Sequence, residues 1–465
     1  MAKVVHRSLL LCFGILAICP AITSQDTLLA PTSVPLQEWL NGPDRQDIAW
    51  KVQIFQDMTL QQRHLVQVLA TISGYDYFDG VSSRDLHFVT KVADERGNWL
   101  DGESYTHLVP PADFSQSDAV HAFANLYLRP GNYTLAMIAY DSAHGVGNVW
   151  RTSLSVAPVS APLDGLDRDF PVVEFLPPAA AALSLKKSDW ETSPPAVLQS
   201  LMLDPLTLGH GVAHLPVANK KPVRIDVIAN LSNNLKVVMN WMLLGCGRMP
   251  LDEQPLPWSE CYHPKFSEQD SASYKFDQGL ALEVGNLVSQ LVPQSGCVRF
   301  SAMDVLRQDL VADRVDASQV DWDSLSKKLA STDLKGIDLD MRPQHAWEHL
   351  MAFKQFVEKV NKDDYACGLP LASTDHVVII VSLLVPFPPS QLRWWPLSAK
   401  MDTVKSFKPR PAYYHLLQSG KRGASPSQDP TEQMLSPLKP KFLPFLGSDQ
   451  LRQQLDFIIK DLGTS

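Results

Sequence analysis

Beyond its first two dozen residues the chain has no apolar run long enough to cross a bilayer. A spanning helix needs roughly 20 apolar residues, and every later run is broken sooner by a charge, a proline or a polar residue. Lysine and arginine are nowhere concentrated, and the formal charge is -9. Nucleic acid and anionic membrane surfaces are therefore poor main partners, because both are bound by clustered cations. Cysteine is scarce: there are six, and Cys12 and Cys19 fall at the extreme N-terminus. The other four, Cys246, Cys261, Cys297 and Cys367, form no Cys-x-x-Cys or other ligand-spaced pair, so a thiolate zinc site is not indicated. Also missing are a Gly-x-Ser-x-Gly elbow, a Walker-type phosphate loop and a Gly-x-Gly-x-x-Gly turn. His210 and His214 stand four apart, but Gly209, Gly211 and Pro216 oppose a helix there and no Glu completes a zinc-protease motif.

Residues 1–24 have the layout of a secretory signal. Lys3 and Arg7 make a positive start, residues 8–17 are almost wholly apolar, and small residues follow around Ala21 and Ser24. Removing this segment takes away Lys3 and Arg7 and no acid, which moves the charge from -9 to -11. The mature chain is then expected outside the cytoplasm, secreted or periplasmic, with no membrane span. In an oxidising compartment four cysteines allow three pairings, and the sequence does not choose among them. Cys246 with Cys261 would close a short loop rich in Pro and Gly.

At 465 residues the chain predicts two or three domains. Residues 45–157 read as β: segments 48–55, 64–73 and 86–93 alternate partially and carry many β-formers between turn-rich stretches. Segments 122–128 and 133–140 flank Pro130-Gly131, which predicts that they pair as a hairpin, and 149–156 supplies a last strand. Several short strands spaced this way predict an immunoglobulin-like β-sandwich, with Tyr133 and Tyr140 in its core. Residues 158–222 hold many prolines and read as a connector running over surfaces, with 172–176 able to add one strand.

From residue 223 to 465 strands and helices alternate. Strands are expected at 223–231, 297–303, 376–385, 412–417 and 442–446, with a short edge strand at 306–315. Helices are expected at 276–291, 321–330 and 345–360, and a terminal one capped by Ser448. Val377, Val378, Ile379, Ile380 and Val381 run unbroken, as a strand covered on both faces must. The pattern predicts a doubly wound, mostly parallel sheet.

The order of these elements resembles the von Willebrand factor A (VWA) fold. It is similar to the secreted VWA-related proteins of acidobacteria, in which a β-rich segment precedes the A domain. The matching stretches are 223–230, 296–304, 375–382 and 442–462, roughly half the chain. The resemblance implies a divalent cation held by an Asp-x-Ser-x-Ser loop, a Thr and a later Asp, all hard oxygen ligands. Here the loop reads Asn230-Leu231-Ser232-Asn233-Asn234, the Thr position falls near Asp338, and Leu383 stands where the Asp is expected. No metal or cofactor is therefore expected. Asn230, Ser232, Asn234 and Asp338 mark the degenerate site, and the two asparagines and Ser232 are expected to cap the turn. The chain also carries an insert, residues 236–274, with Cys246, Cys261, Trp241 and Trp258. Trp241 and Trp258 are candidates for a binding loop, or else fold down over the sheet.

With no nucleophile beside a base, a non-enzymatic binding or scaffold role toward another extracytoplasmic protein is expected. The alternatives are an exported hydrolase acting on polymers, for which Asp338 and Asp340 form the one noted carboxylate pair, and a purely structural envelope component.

Overall fold

The computed structural model describes residues 34–79, 82–108, 114–160, 162–163, 170–176, 184–185, 214–232, 268–332, 343–363, 367–368, 373–383, 412–418 and 430–464. The first half is built from β1 (Arg45–Gln46), β2 (Lys51–Met58), β3 (His64–Ser73), β4 (Phe78–Asp79), β5 (Ser82–Ser83), β6 (Leu86–Ala93), β7 (Ser104–Leu108), β8 (Ala119–Leu128), β9 (Gly131–Asp141), β10 (Val146–Val156), β11 (Val173–Leu176) and β12 (Ser184–Leu185). They form two large antiparallel sheets, β1-β10-β9-β6-β7 and β11-β8-β3-β2, with β12 also on β8, while β4 and β5 pair only with each other. Alternate residues of both sheets meet in one apolar core: Val66, Val68, Ala70 and Ile72 from one side, Leu135, Met137 and Leu86 from the other. A short helix, Leu36–Asn41, covers the outer face of β9 and β10 through Trp39 and Leu40. The seat of Trp39 needs Gly147, where a Cβ would lie 2.9 Å from the indole and 2.1 Å from the Ala139 carbonyl oxygen.

The expected hairpin between 122–128 and 133–140 does not exist. β8 pairs with β3 and β11, whereas β9 pairs with β10 and β6, so the two strands lie in opposite sheets. The Arg129-Pro130 link is an arch between sheets. Both strands are apolar on their inner rows, and those rows face each other across the core instead of lying side by side. The Tyr133 hydroxyl donates back to the Arg129 carbonyl at 2.9 Å and clamps the arch. The true hairpin is β9–β10, turned at Ser142 to Gly145.

The connector departs from expectation only in part. β11 is the strand expected at 172–176, added beside β8, but Leu163, Leu215 and Val217 are buried in the core of the second half. Among the described residues the connector therefore does not stay on the surface throughout.

The second half contains β13 (Leu215–Val217), β14 (Val223–Asn230), β15 (Leu291–Pro293), β16 (Gly296–Asp304), β17 (Asp309–Asp316), β18 (Asp375–Leu383), β19 (Ala412–Gln418) and β20 (Lys441–Phe445). Six of them make one sheet in the order β17-β16-β14-β18-β19-β20. All its pairings are parallel except the edge strand β17. Val377, Ile379 and Val381 feed one core, beneath the Glu268–Ser289 and Ser448–Thr464 helices, while Val378 and Ile380 feed the other, beneath Pro343–Asn361 and Pro430–Leu435. That division is why the run is apolar without alternation.

Several boundaries move. The Glu268–Ser289 helix starts before residue 276 and stops short of Leu291, which opens β15 and pairs with Leu215. Asp321 caps Trp322–Ala330 by accepting from the Ser324 N–H at 2.9 Å. Ser448 begins the last helix, but its hydroxyl points to the Met58 sulfur at 3.6 Å. Cys297 and Cys367 form a disulfide with Cα atoms 5.7 Å apart. Cys246 and Cys261 lie outside the described residues.

Candidate functional site

The carboxyl ends of parallel strands, where the order reverses, are where open α/β sheets bind ligands. Here that point is the gap between β14 and β18. β14 ends on Asn230, whose side-chain oxygen accepts from the Ser232 N–H at 3.0 Å, the turn-capping role expected for it. The Ser232 hydroxyl donates to Asp304 at 2.9 Å and accepts from the Leu306 N–H at 2.8 Å.

Asp304, the last residue of β16, is the centre of this cluster and fully buried. Besides Ser232, its carboxylate accepts from the Tyr274 hydroxyl at 2.8 Å, the Gln278 amide at 3.0 Å and the Arg307 N–H at 3.1 Å. The Arg307 guanidinium stands 4.0 Å away. A buried carboxylate is tolerable only with donors of this kind, and four of them offset much of its desolvation. Burial first, and then the Asp304 charge, hold the Tyr274 phenol well above its usual range, so it stays a donor. Sequence reasoning placed Asp304 only at a strand end. The available signal was a carboxylate closing the strand pattern 298–303, at the same end of the sheet as Ser232.

Asn234, Asp338, Asp340, Trp241 and Trp258 lie outside the described residues, as do His210 and the cysteines of the insert. Asp226 sits in mid-strand, away from this edge, held by the guanidiniums of Arg224 at 3.0 Å and Arg299 at 2.7 Å and by the His376 ring at 2.8 Å.

A second cluster lies between β18 and β19. Ser382 Oγ is 2.6 Å from His415 Nε2, and His415 Nδ1 is 2.7 Å from a Glu432 carboxylate oxygen. Hydroxyl, imidazole and carboxylate in this order are the parts of an activated serine nucleophile. Ser382 is 2 % exposed and His415 fully buried, beside Ile380 and Tyr413 on the face covered by the Pro430–Leu435 helix. The same three groups also satisfy a core histidine completely, tying β18, β19 and that helix together. No sequence motif announces them, because they come from three elements.

No protein-family model and no curated protein matches the chain. Among solved structures, it aligns with a family 123 glycoside hydrolase from Clostridium perfringens, described in a study of glycolipid glycan hydrolysis. The identity is 8 %, the alignment covers 82 % of this chain and 75 % of that one, and the TM-score is 0.23. A likeness at that level carries no argument about activity.

Proposed function

We propose that this chain is an extracytoplasmic binding or scaffold protein, an immunoglobulin-like sandwich followed by a VWA-like domain whose cation pocket has become an internal hydrogen-bond network. The observation that carries the reading is Asp304: its oxygens are engaged by Ser232, Tyr274, Gln278 and the Arg307 backbone, all from the protein itself. The sheet order with one antiparallel edge agrees with the element order on which the resemblance rests. The Cys297–Cys367 disulfide supports an oxidising compartment. Among the described residues no helix is long and apolar enough to cross a membrane. The partner is another extracytoplasmic protein, met by the loops at the carboxyl ends of the parallel strands and by Trp241 and Trp258 of the insert.

Calorimetry with Mg²⁺ and Mn²⁺ is expected to show no saturable binding at Asp304. Micromolar affinity that Asp304→Asn or Ser232→Ala abolishes would overturn the reading. Crosslinking in the native envelope is expected to trap one protein with the wild type and to lose it with Trp241→Ala and Trp258→Ala. Retention of the same crosslink in both variants argues instead for a structural envelope role.

The Ser382–His415–Glu432 line supports a second reading, an exported hydrolase. A fluorophosphonate probe distinguishes the two: the hydrolase labels at Ser382 and loses the label in Ser382→Ala, whereas the scaffold protein stays unlabelled.

A further inference from the structure

Away from both clusters, on the sandwich, β6 and β7 place three metal-ligating side chains together. Their register sets His87 opposite His107, so the two imidazoles stand side by side, stacked with centroids 4.6 Å apart and 10° between planes. Asp85 lies two residues before His87 and turns its carboxylate to both rings. One of its oxygens is 2.8 Å from His107 Nε2 and the other 3.3 Å from His87 Nε2. The donor atoms of all three residues lie within 4.8 Å of one another.

We propose that Asp85, His87 and His107 form a binding site for a divalent d-block ion, zinc foremost, with at least one coordination position left to water or an external ligand. Two donors about 2.1 Å from a tetrahedral ion are themselves about 3.4 Å apart. The Asp–His distances of 2.8 and 3.3 Å, one to each carboxylate oxygen, lie close to that value, and the rest of the approach comes from turning one of the two nearly parallel rings so that both Nε2 lone pairs meet the ion. Binding displaces any proton these nitrogens carry in the free site. Two imidazoles with one carboxylate favour Zn²⁺, Co²⁺, Ni²⁺ or Cu²⁺ over Mg²⁺ and Ca²⁺, which prefer all-oxygen sites.

The surroundings fit a metal site as well as the donors do. His87 is the buried ligand, and its Nδ1 lies 2.8 Å from the Tyr105 hydroxyl. In the tautomer that donates from Nδ1 to Tyr105, the Nε2 lone pair faces the ion, the outer-shell arrangement metal-bound histidines use. The Ser142 hydroxyl donates to the Asp85 carboxylate and holds it facing the two rings. The Asp85 backbone is itself fixed: its N–H donates to the buried Asp141 carboxylate at 3.2 Å, and its carbonyl accepts from the Ser142 N–H at 2.9 Å. Asp85 and His107 are each a little under half exposed, which provides the entry path.

The test uses the full chain, tag-free and dialysed against EDTA, titrated with Zn²⁺ by calorimetry and with Co²⁺ by visible absorption. One equivalent is expected to bind, with cobalt bands typical of nitrogen and oxygen ligation. Outer-shell changes alone weaken metal sites by roughly 10- to 100-fold, so His107→Ala, which removes a ligand outright, should weaken binding by at least about tenfold. Tyr105→Phe should weaken it less, and His144→Ala, which alters a neighbouring histidine outside the triad, should leave it unchanged. Absence of stoichiometric binding, equal affinity in His107→Ala, or intense cobalt–thiolate absorption would each overturn the assignment.

Discussion

Asp226→Ala is expected to lower the unfolding free energy by about 3–5 kcal/mol, the usual cost of breaking a buried ion pair from one side. The Asp226 side chain is 2 % exposed, and those of Arg224 and Arg299, which it separates, are 3 % and 6 % exposed. Without the carboxylate, two guanidiniums face each other across adjacent strands. Arg299 still reaches Asp363 at 2.7 Å, and Arg224 still donates to the Asp363 carbonyl at 2.6 Å, so the loss falls short of two fully orphaned charges. Urea titration measures the loss. A companion variant with Arg224→Met and Arg299→Met added to Asp226→Ala should recover much of it, since apolar groups of similar length need no counter-charge. A loss below about 1 kcal/mol for Asp226→Ala, or no recovery in the triple variant, contradicts this account.

The second large effect is a pH dependence centred on Glu283. This residue of the Glu268–Ser289 helix is fully buried where the β2–β3 turn meets the second half, and it accepts from the Gln61 N–H at 3.0 Å. Burial raises its carboxyl from 4.5 to about 8, opposed by hydrogen bonds from Gln61, Leu60 and Thr59. Below pH 4.5 the carboxyl is protonated in both folded and unfolded chains, and its contribution is constant. As pH rises from 4.5 to about 8 only the unfolded chain releases the proton, so stability falls through that window and levels off above it. The full span corresponds to at most roughly 5 kcal/mol. Glu283→Gln keeps the acceptor for Gln61 and removes the ionisation. Urea midpoints compared at pH 5 and pH 8.5 should therefore diverge for the wild type far more than for the variant, and parallel behaviour would refute the assignment.

What could be read from the sequence follows from how local each cause is. The central strand was legible because Val377 to Val381 must satisfy two cores at once, and an unbroken apolar run has few other uses. The helices on either face were legible in periodicity, and the extent was furthest out for Glu268–Ser289, whose ends are set by tertiary pairing at β15 and by the approach to Tyr274. The β8–β9 arch was misread because Pro130-Gly131 signals reversal but not which sheet receives the returning strand. That choice is made by β3, far earlier in the chain. Of the candidate site, the turn at Asn230 and Ser232 was legible. Asp304 and the pairing of Ser382 with His415 were not, since each depends on strands brought together only by the fold. His87 and His107 are likewise neighbours only through register.

The arch also constrains the order in which the chain can become safe from its neighbours. As the polypeptide emerges from its N-terminus, β2 and β3 can zip together at once, but Val66, Val68, Ala70 and Ile72 have no lid and one rim of β3 has no mate until β8 arrives. During that interval the half-built layer is a sticky ribbon able to recruit another nascent copy. A holding chaperone is the remedy such a topology calls for.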